Sequence, residues 1–280
     1  PLFYPRSSGT TARPKLGRLT HKKMFVRIQP QATDGLSHKF LSLTHIDFEG
    51  AKLHLLRFLL SGRCVAFFPG IATSIPETIK FIRDTGVDFI GGSPVHASTL
   101  LDAYPGRNLL LPGLKAFRMS STLVPEALRH DIRARLTPNL FVGFGITEIG
   151  TVSVAPPQSV IDRPGIVGWV NDDITVEVVD ETGQPQNPGT PGELRLRSPG
   201  MFDGYIGDPE ETAKRFSDGW FYSGDRCAIA EDGALFHFGR ADDLIIYDGI
   251  NIYPSAMESA LLEIPAIAAV SVFGVEKGIP

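Results

Sequence analysis

Ser74-Ile75-Pro76-Glu77-Thr78-Ile79-Lys80-Phe81-Ile82-Arg83-Asp84-Thr85-Gly86, followed at once by Val87-Asp88-Phe89-Ile90, is the stretch on which the fold turns. Ser74 and Glu77 stand three apart as a capping box, and Pro76 lies in the first turn, where its missing N–H costs nothing. Ile79 and Ile82 share one face, and Gly86 supplies the stop. The spacing predicts a helix over 75–85, and the apolar run Val87 to Ile90 predicts a short buried strand directly after it. A helix delivered onto a buried strand is the repeating unit of an α/β sheet.

The unit recurs outward in both directions. Ser93-Pro94 opens another helix, Leu114 to Met119 reads as a strand, Pro125 to Leu136 as a helix and Leu140 to Gly143 as a strand. Residues 40 to about 143 therefore predict a doubly wound α/β sheet rather than a sandwich. After Pro156-Pro157 the rhythm shortens. Ile174 to Val179, Gly192 to Arg197 and Ala234 to Phe238 read as strands set off by turns such as Asp180-Glu181-Thr182-Gly183, which predicts a β-rich subdomain. Beyond Arg240, an apolar strand (Leu244 to Tyr247) and a helix (Pro254 to Leu262) begin a small α+β C-terminal domain. The expected division is 1–163, 164–241 and 242–280. Because the chain opens on Pro1 and stops in mid-element at Pro280, it is expected to be an internal piece of a longer protein.

Composition narrows the function classes. With 42% hydrophobic residues in 280, the chain can bury one large core or two smaller ones. Lys and Arg number 27 against 31 Asp and Glu, so the net charge of −4 argues against a nucleic-acid partner or a polybasic membrane surface. Cys64 and Cys227 are far apart and lack zinc or redox spacing. The longest apolar stretches, such as Ile264 to Val275, are too short to cross a bilayer, so the expectation is a soluble, cytoplasmic protein.

Four clusters carry chemistry. Ser7-Ser8-Gly9-Thr10-Thr11-Ala12-Arg13-Pro14-Lys15 packs four hydroxyls and two cations into nine positions, a composition suited to polyphosphate oxygens, although stretches of this kind are most often plain loops. It is not a Walker A motif, since no Gly-Lys-Ser/Thr follows at the required spacing. Gly143-Phe144-Gly145-Ile146-Thr147-Glu148 follows a predicted buried strand, where ligand crevices of α/β sheets lie. There Phe144 can stack on a base, Thr147 can donate to a phosphate and Glu148 can hold magnesium through one oxygen. The bland alternative is a strand-end turn with a solvated Glu. Trp220-Phe221-Tyr222-Ser223-Gly224-Asp225 offers an Asp able to accept both hydroxyls of a ribose, and Gly239-Arg240-Ala241-Asp242-Asp243 an Arg to complete that contact. Taken singly, these are a turn Asp and a surface ion pair.

In their order and spacing the four clusters resemble the adenylate-forming superfamily of acyl-CoA synthetases, luciferases and peptide-synthetase adenylation domains, over Ser7 to about residue 275. The resemblance implies an acid–thiol ligase. A carboxylate attacks the α-phosphate of ATP to give acyl-AMP and pyrophosphate, and a thiol, commonly coenzyme A, then displaces AMP. It implies that Ser7, Ser8, Gly9, Thr10, Thr11 and Lys15 belong to the β,γ-phosphate loop, Thr147 is a phosphate donor and Glu148 the magnesium ligand. Asp225 would bind ribose with Arg240 as its partner, Phe144 and Gly145 would border the adenine, and Ser121 lies where the family has its adenine strand. Asp242 corresponds to the hinge and His45 to a position near the acyl pocket, although a lone His is more often structural.

Three positions depart from the family pattern. Ala12 replaces a Gly, Ser120-Ser121-Thr122 replaces a Gly-Gly-Ala-Pro type run, and Ile246 stands where Lys is common. The essential C-terminal Lys of the family has no counterpart here, so the expectation is nucleotide binding with little adenylation. The alternatives left open are an adenylation domain that loads a carrier protein, a non-catalytic nucleotide-binding relative, and a structural α/β protein. The carboxylic acid itself cannot be read from the sequence.

Overall fold

The computed structural model describes residues 2–7, 14–29, 37–68, 74–120, 124–241, 245–247, 250–252, 254–262, 264, 267 and 270–275. A small antiparallel hairpin, β1 (Arg6–Ser7) with β2 (Lys15–Leu16), leads into α1 (His21–Arg27). Then come β3 (Lys39–Ser42), α2 (Glu49–Leu60), β4 (Cys64–Ala66), α3 (Ile75–Thr85), β5 (Phe89–Gly92), α4 (Pro94–Asp102) and β6 (Ala116–Met119). Next, α5 (Glu126–Asp131) passes into a π-helical turn (Ile132–Leu136) before β7 (Leu140–Ile146).

The capping box forms as expected. Glu77 N–H donates to Ser74 Oγ at 3.4 Å and Ser74 N–H to Glu77 at 2.9 Å, while Gly86 closes α3 in the left-handed conformation at φ 64°. The strand after it begins later than the apolar run suggested. Val87 N–H is spent on Ile82 O at 3.3 Å, within the C-terminal closure of the helix, so β5 starts at Phe89 and runs to Gly92.

Strands β4-β3-β5-β6-β7 pair in parallel. Their side chains alternate between two cores. Phe40, Phe89 and Ala116 pack with Phe58 of α2 on one face. Leu41, Ile90 and Phe117 pack with Ile79 and Ile82 of α3, Leu100 of α4 and Ile132 and Leu136 of the π turn on the other. Helices on both faces of a parallel sheet are the doubly wound arrangement.

Where β7 meets β8 (Gly150–Ala155) the pairing turns antiparallel. It stays so through α6 (Pro157–Asp162) and β9 (Ile166–Val170) to β10 (Thr175–Val179), β11 (Gly192–Arg197), β13 (Trp220–Ile229) and β14 (Ala234–Arg240). Between β11 and β13 lie α7 (Pro209–Arg215) and β12 (Phe216–Ser217), which pairs with β13. The result is one 12-stranded sheet that runs unbroken across residue 163. Beyond it come the hairpin β15 (Ile245–Tyr247) with β16 (Ile250–Ile252), and α8 (Pro254–Leu262). Among the described residues no helix is long and apolar enough to cross a membrane.

Candidate functional site

Strand β7 continues past Gly143 because Phe144, Gly145 and Ile146 pair with Ser153, Thr151 and Gly150. Thr147 and Glu148 therefore form the tip of a tight β7–β8 hairpin rather than a loose strand end. Arg27, the last residue of α1, clamps that tip from below. Its guanidinium donates to Thr147 O at 3.0 Å, Glu148 O at 2.6 Å and Gly200 O at 2.8 Å, and reaches Glu49 Oε1 at 3.2 Å. Burial lowers its pKa to about 10 against the pull of Glu49, which leaves it charged at neutral pH. Glu148 is itself 5% exposed, and Tyr205 Oη donates to its Oε1 at 2.7 Å. Burial raises the Glu148 carboxyl, opposed by that hydrogen bond and by the charges of Arg27 and Lys15.

The β1–β2 hairpin brings Ser7 opposite Lys15. Ser8, Gly9, Thr10 and Thr11 of the predicted phosphate loop lie outside the described residues. Gly17 lets the hairpin seat on the next element: a Cβ there would meet the Phe202 ring at 1.9 Å, and Gly17 bridges Tyr205. Lys15 Nζ pairs with Glu211 of α7 and stands 5.4 Å from the centroid of the Tyr205 ring. Arg215, one turn along α7, donates from Nε to the same Glu211 Oε1 at 3.2 Å. The Ser7 hydroxyl is buried without a hydrogen-bond partner among the described residues, an unmet polar atom of the kind a bound oxyanion satisfies.

Asp225 sits where β13 bulges: Tyr222 faces Arg195 and Arg226 faces Glu193, which leaves Ser223, Gly224 and Asp225 opposite Leu194. Gly224 takes φ 70° at this point. Asp225, 5% exposed, receives Arg240 from its cross-strand partner position, Nη1 to Oδ1 at 3.5 Å, and has His237 Nε2 at 3.2 Å from the same oxygen. His237 also stacks on Phe144 at 5.0 Å between centroids. Arg240 donates in addition to Ser223 O at 2.9 Å.

These contacts form an open circuit of two chains. Phe144 leads through His237 to Asp225 and Arg240. From Glu148, Tyr205 leads to Lys15, Glu211 and Arg215, and Arg215 Nη1 lies 2.5 Å from where a Gly224 Cβ would be, which brings the two chains near each other. Residues from all four sequence clusters thus lie on these chains, and Thr147 lies beside Glu148. Gly145 is exposed on the same hairpin. His45 stands apart at the end of β3, exposed and paired with Asp47 at 3.1 Å. Ser121 and Asp242 lie outside the described residues. Arg27, Tyr205, Glu211, Arg215 and His237 are the members that motif reading passed over, because nothing in their local sequence marks them.

Among the described residues no group of three or more His, Cys, Asp or Glu could hold a metal unaided. A single buried carboxylate is nevertheless a donor that suits magnesium, which takes one or two carboxylates and completes its shell from phosphate and water.

The chain is similar to known proteins in sequence and in fold. Residues 1–206 match the family model described as AMP-binding enzyme. The chain is 31% identical over 282 residues to a feruloyl-CoA synthase of Amycolatopsis sp, covering 96% of this chain and 55% of that protein. It is 30% identical over 288 residues to a long-chain-fatty-acid–CoA ligase of Escherichia coli O157:H7, covering 99% and 50%. The structure of O-succinylbenzoate coenzyme A synthetase from Bacillus subtilis in complex with AMP superposes with a TM-score of 0.86 at 22% identity, over 98% of this chain and 56% of that one. That likeness is one of fold. The chain spans about half the length of the curated relatives it matches.

Proposed function

The chain belongs to the AMP-binding enzyme family, and from that premise we propose that it forms the nucleotide half of an acid–thiol ligase site. The ligase activates a carboxylic acid as acyl-AMP and passes the acyl group to coenzyme A. The observation that carries this reading is the pair of contact chains, one from Glu148 to Lys15 and one from Phe144 to Asp225 and Arg240, that approach each other beside Gly224. The relatives named above are CoA synthases and ligases, which favours coenzyme A over a carrier protein as acceptor.

Each residue has a role its environment supports. Asp225 accepts the ribose hydroxyls while Arg240 pairs with it and aligns it, and Phe144 with His237 offers an aromatic edge to the adenine. Lys15 with the Ser7–Lys15 hairpin neutralises the outer phosphates, and Thr147 donates to the phosphate chain. Glu148 would hold magnesium through a carboxylate oxygen, and the ion would supply charge neutralisation at the phosphate chain. Rate then comes from positioned charge in a partly dry site, with no side-chain nucleophile needed. His45 reports on the acyl side and Asp242 on the hinge. We assign 1–163 to the α/β nucleotide-binding part, 164–241 to the β-rich part that completes the site and 242–280 to the start of a further domain. The free thiols of Cys64 and Cys227 suit a cytoplasmic setting.

Calorimetric titration with ATP and magnesium tests the reading. Asp225→Ala is expected to weaken AMP and ATP alike by more than about tenfold, as loss of a charged hydrogen bond does. Glu148→Ala is expected to weaken ATP with magnesium and to spare AMP. Unchanged binding in both variants would sink the assignment.

A further inference from the structure

We infer that Glu211 is a built-in competitor for the polyphosphate: it holds Lys15 and Arg215 while the outer phosphate site is empty and gives them up when the anion arrives. The inference rests on the nucleotide reading of the Ser7–Lys15 hairpin and adds Glu211 and Arg215 to it.

The geometry is specific. One oxygen, Glu211 Oε1, takes both the Lys15 ammonium from β2 and the Arg215 Nε from its own helix, the latter at 3.2 Å. All three side chains are largely withdrawn from water, at 13% exposure for Lys15, 18% for Glu211 and 12% for Arg215, so the contact is screened far less than a surface pair. Lys15 and Arg215 together hold the Glu211 carboxyl below its ordinary value against a desolvation that pushes it up.

Arg215 has a second neighbour that gives the arrangement direction. A Cβ on Gly224 would stand 2.5 Å from Arg215 Nη1 and 3.1 Å from Arg240 Nη2. The bare glycine therefore admits two guanidinium groups beside the Asp225 bulge. Arg240 is committed to Asp225 and Ser223 O. Arg215 instead lies between the turn at Gly224 and the carboxylate that also holds Lys15.

An anion carrying several charges outcompetes a single carboxylate for two cations. Without an anion the same carboxylate sits between the two cations and offsets their repulsion. Glu211 thereby sets the affinity for ligands bearing outer phosphates and leaves mononucleotide affinity alone.

Titrations of the chain with inorganic pyrophosphate, ATP and AMP, each with magnesium chloride, test this in the wild type, Glu211→Gln and Arg215→Gln. Glu211→Gln is expected to tighten pyrophosphate and ATP by about fivefold or more, with AMP unchanged. Arg215→Gln, which leaves Glu211 to Lys15 alone, is expected to weaken pyrophosphate and ATP by a similar factor. Weaker or unchanged pyrophosphate binding in Glu211→Gln overturns the inference, as does an equal gain for AMP. Should Glu211→Gln fold poorly, Arg215→Gln decides alone: no selective loss for pyrophosphate and ATP rejects the idea. If the wild type binds AMP and ATP and these variants behave like it, only this inference falls. If the wild type binds none of the three, the nucleotide reading falls with it.

Discussion

Arg27 shows how a single side chain can hold a site it never enters. Its fork satisfies three carbonyl oxygens, two of them on the Thr147–Glu148 tip, and its charge is balanced by Glu49. Arg27→Met removes the donor to Thr147 O and Gly200 O, leaves Glu148 O to the Phe202 N–H alone and takes the ion pair from Glu49, and is expected to cost about 3–5 kcal/mol in urea denaturation. Arg27→Lys, which keeps the charge and loses the planar fork, is expected to recover less than half of that loss. His54 gives the complementary, pH-dependent case. It lies buried between Phe40 and Phe89, and burial, then the charges of Arg118 on β6 and Arg57 on its own helix, push its pKa well below 6.5. Below pH 6.5 the unfolded chain takes up a proton that the folded chain refuses, so stability falls as pH drops, by as much as about 1.4 kcal/mol per pH unit. Glu49 and Glu148, both raised, act in the opposite sense above pH 4.5. The isolating comparison is the melting temperature of wild type and His54→Gln between pH 7 and 5. The wild type is expected to lose more over that range, and parallel curves would reject the assignment.

Among the elements, those whose ends are written locally were legible and those made by distant pairing were not. Helix α3 announces both ends through Ser74, Glu77 and Gly86, and β11 and α8 fall on their expected residues. Strands β8, β9 and much of β13 were not foreseen, because Gly150, Gly168 and Gly224 interrupt their patterns and cross-strand partners define them. The same division runs through the site. Asp225, Arg240 and Glu148 stand out by residue type and order, whereas His237 joins them only through the register that sets Asp225 against Arg240. Gly168 shows the cost of this dependence. It takes φ 103° on β9, and a Cβ there would lie 1.9 Å from the Val154 carbonyl carbon of β8. Gly168→Ala is expected to destabilise by about 3 kcal/mol or more, through backbone strain and a clash with no flexible neighbour to yield. Gly183→Ala, at φ 80° with nothing within 4 Å, is expected to cost only about 1 kcal/mol in the same denaturant series.

At the scale of the whole molecule the site lies on the seam where the sheet changes from parallel to antiparallel. Glu148 and Phe144 come from the β7–β8 hairpin at that seam, Asp225 and Arg240 from β13 and β14 in the antiparallel half, and Lys15 from a hairpin that shares no strand with the large sheet. On the proposed reading, a nucleotide touches all three pieces and binds only when they are assembled. Linkage then requires that it stabilise them together, by about 2.7 kcal/mol at a hundredfold excess over its dissociation constant. Hydrogen exchange separates this from a purely local effect. AMP is expected to slow exchange in β13, β14 and the β7–β8 hairpin, pyrophosphate to slow it in β1, β2 and α7, and ATP with magnesium to do both, with the added protection extending into β8 and β9 between them. Protection by ATP confined to the Asp225 strands would mean that the Lys15 hairpin takes no part in binding. The circuit seen in the structure would then be a packing arrangement rather than a ligand site.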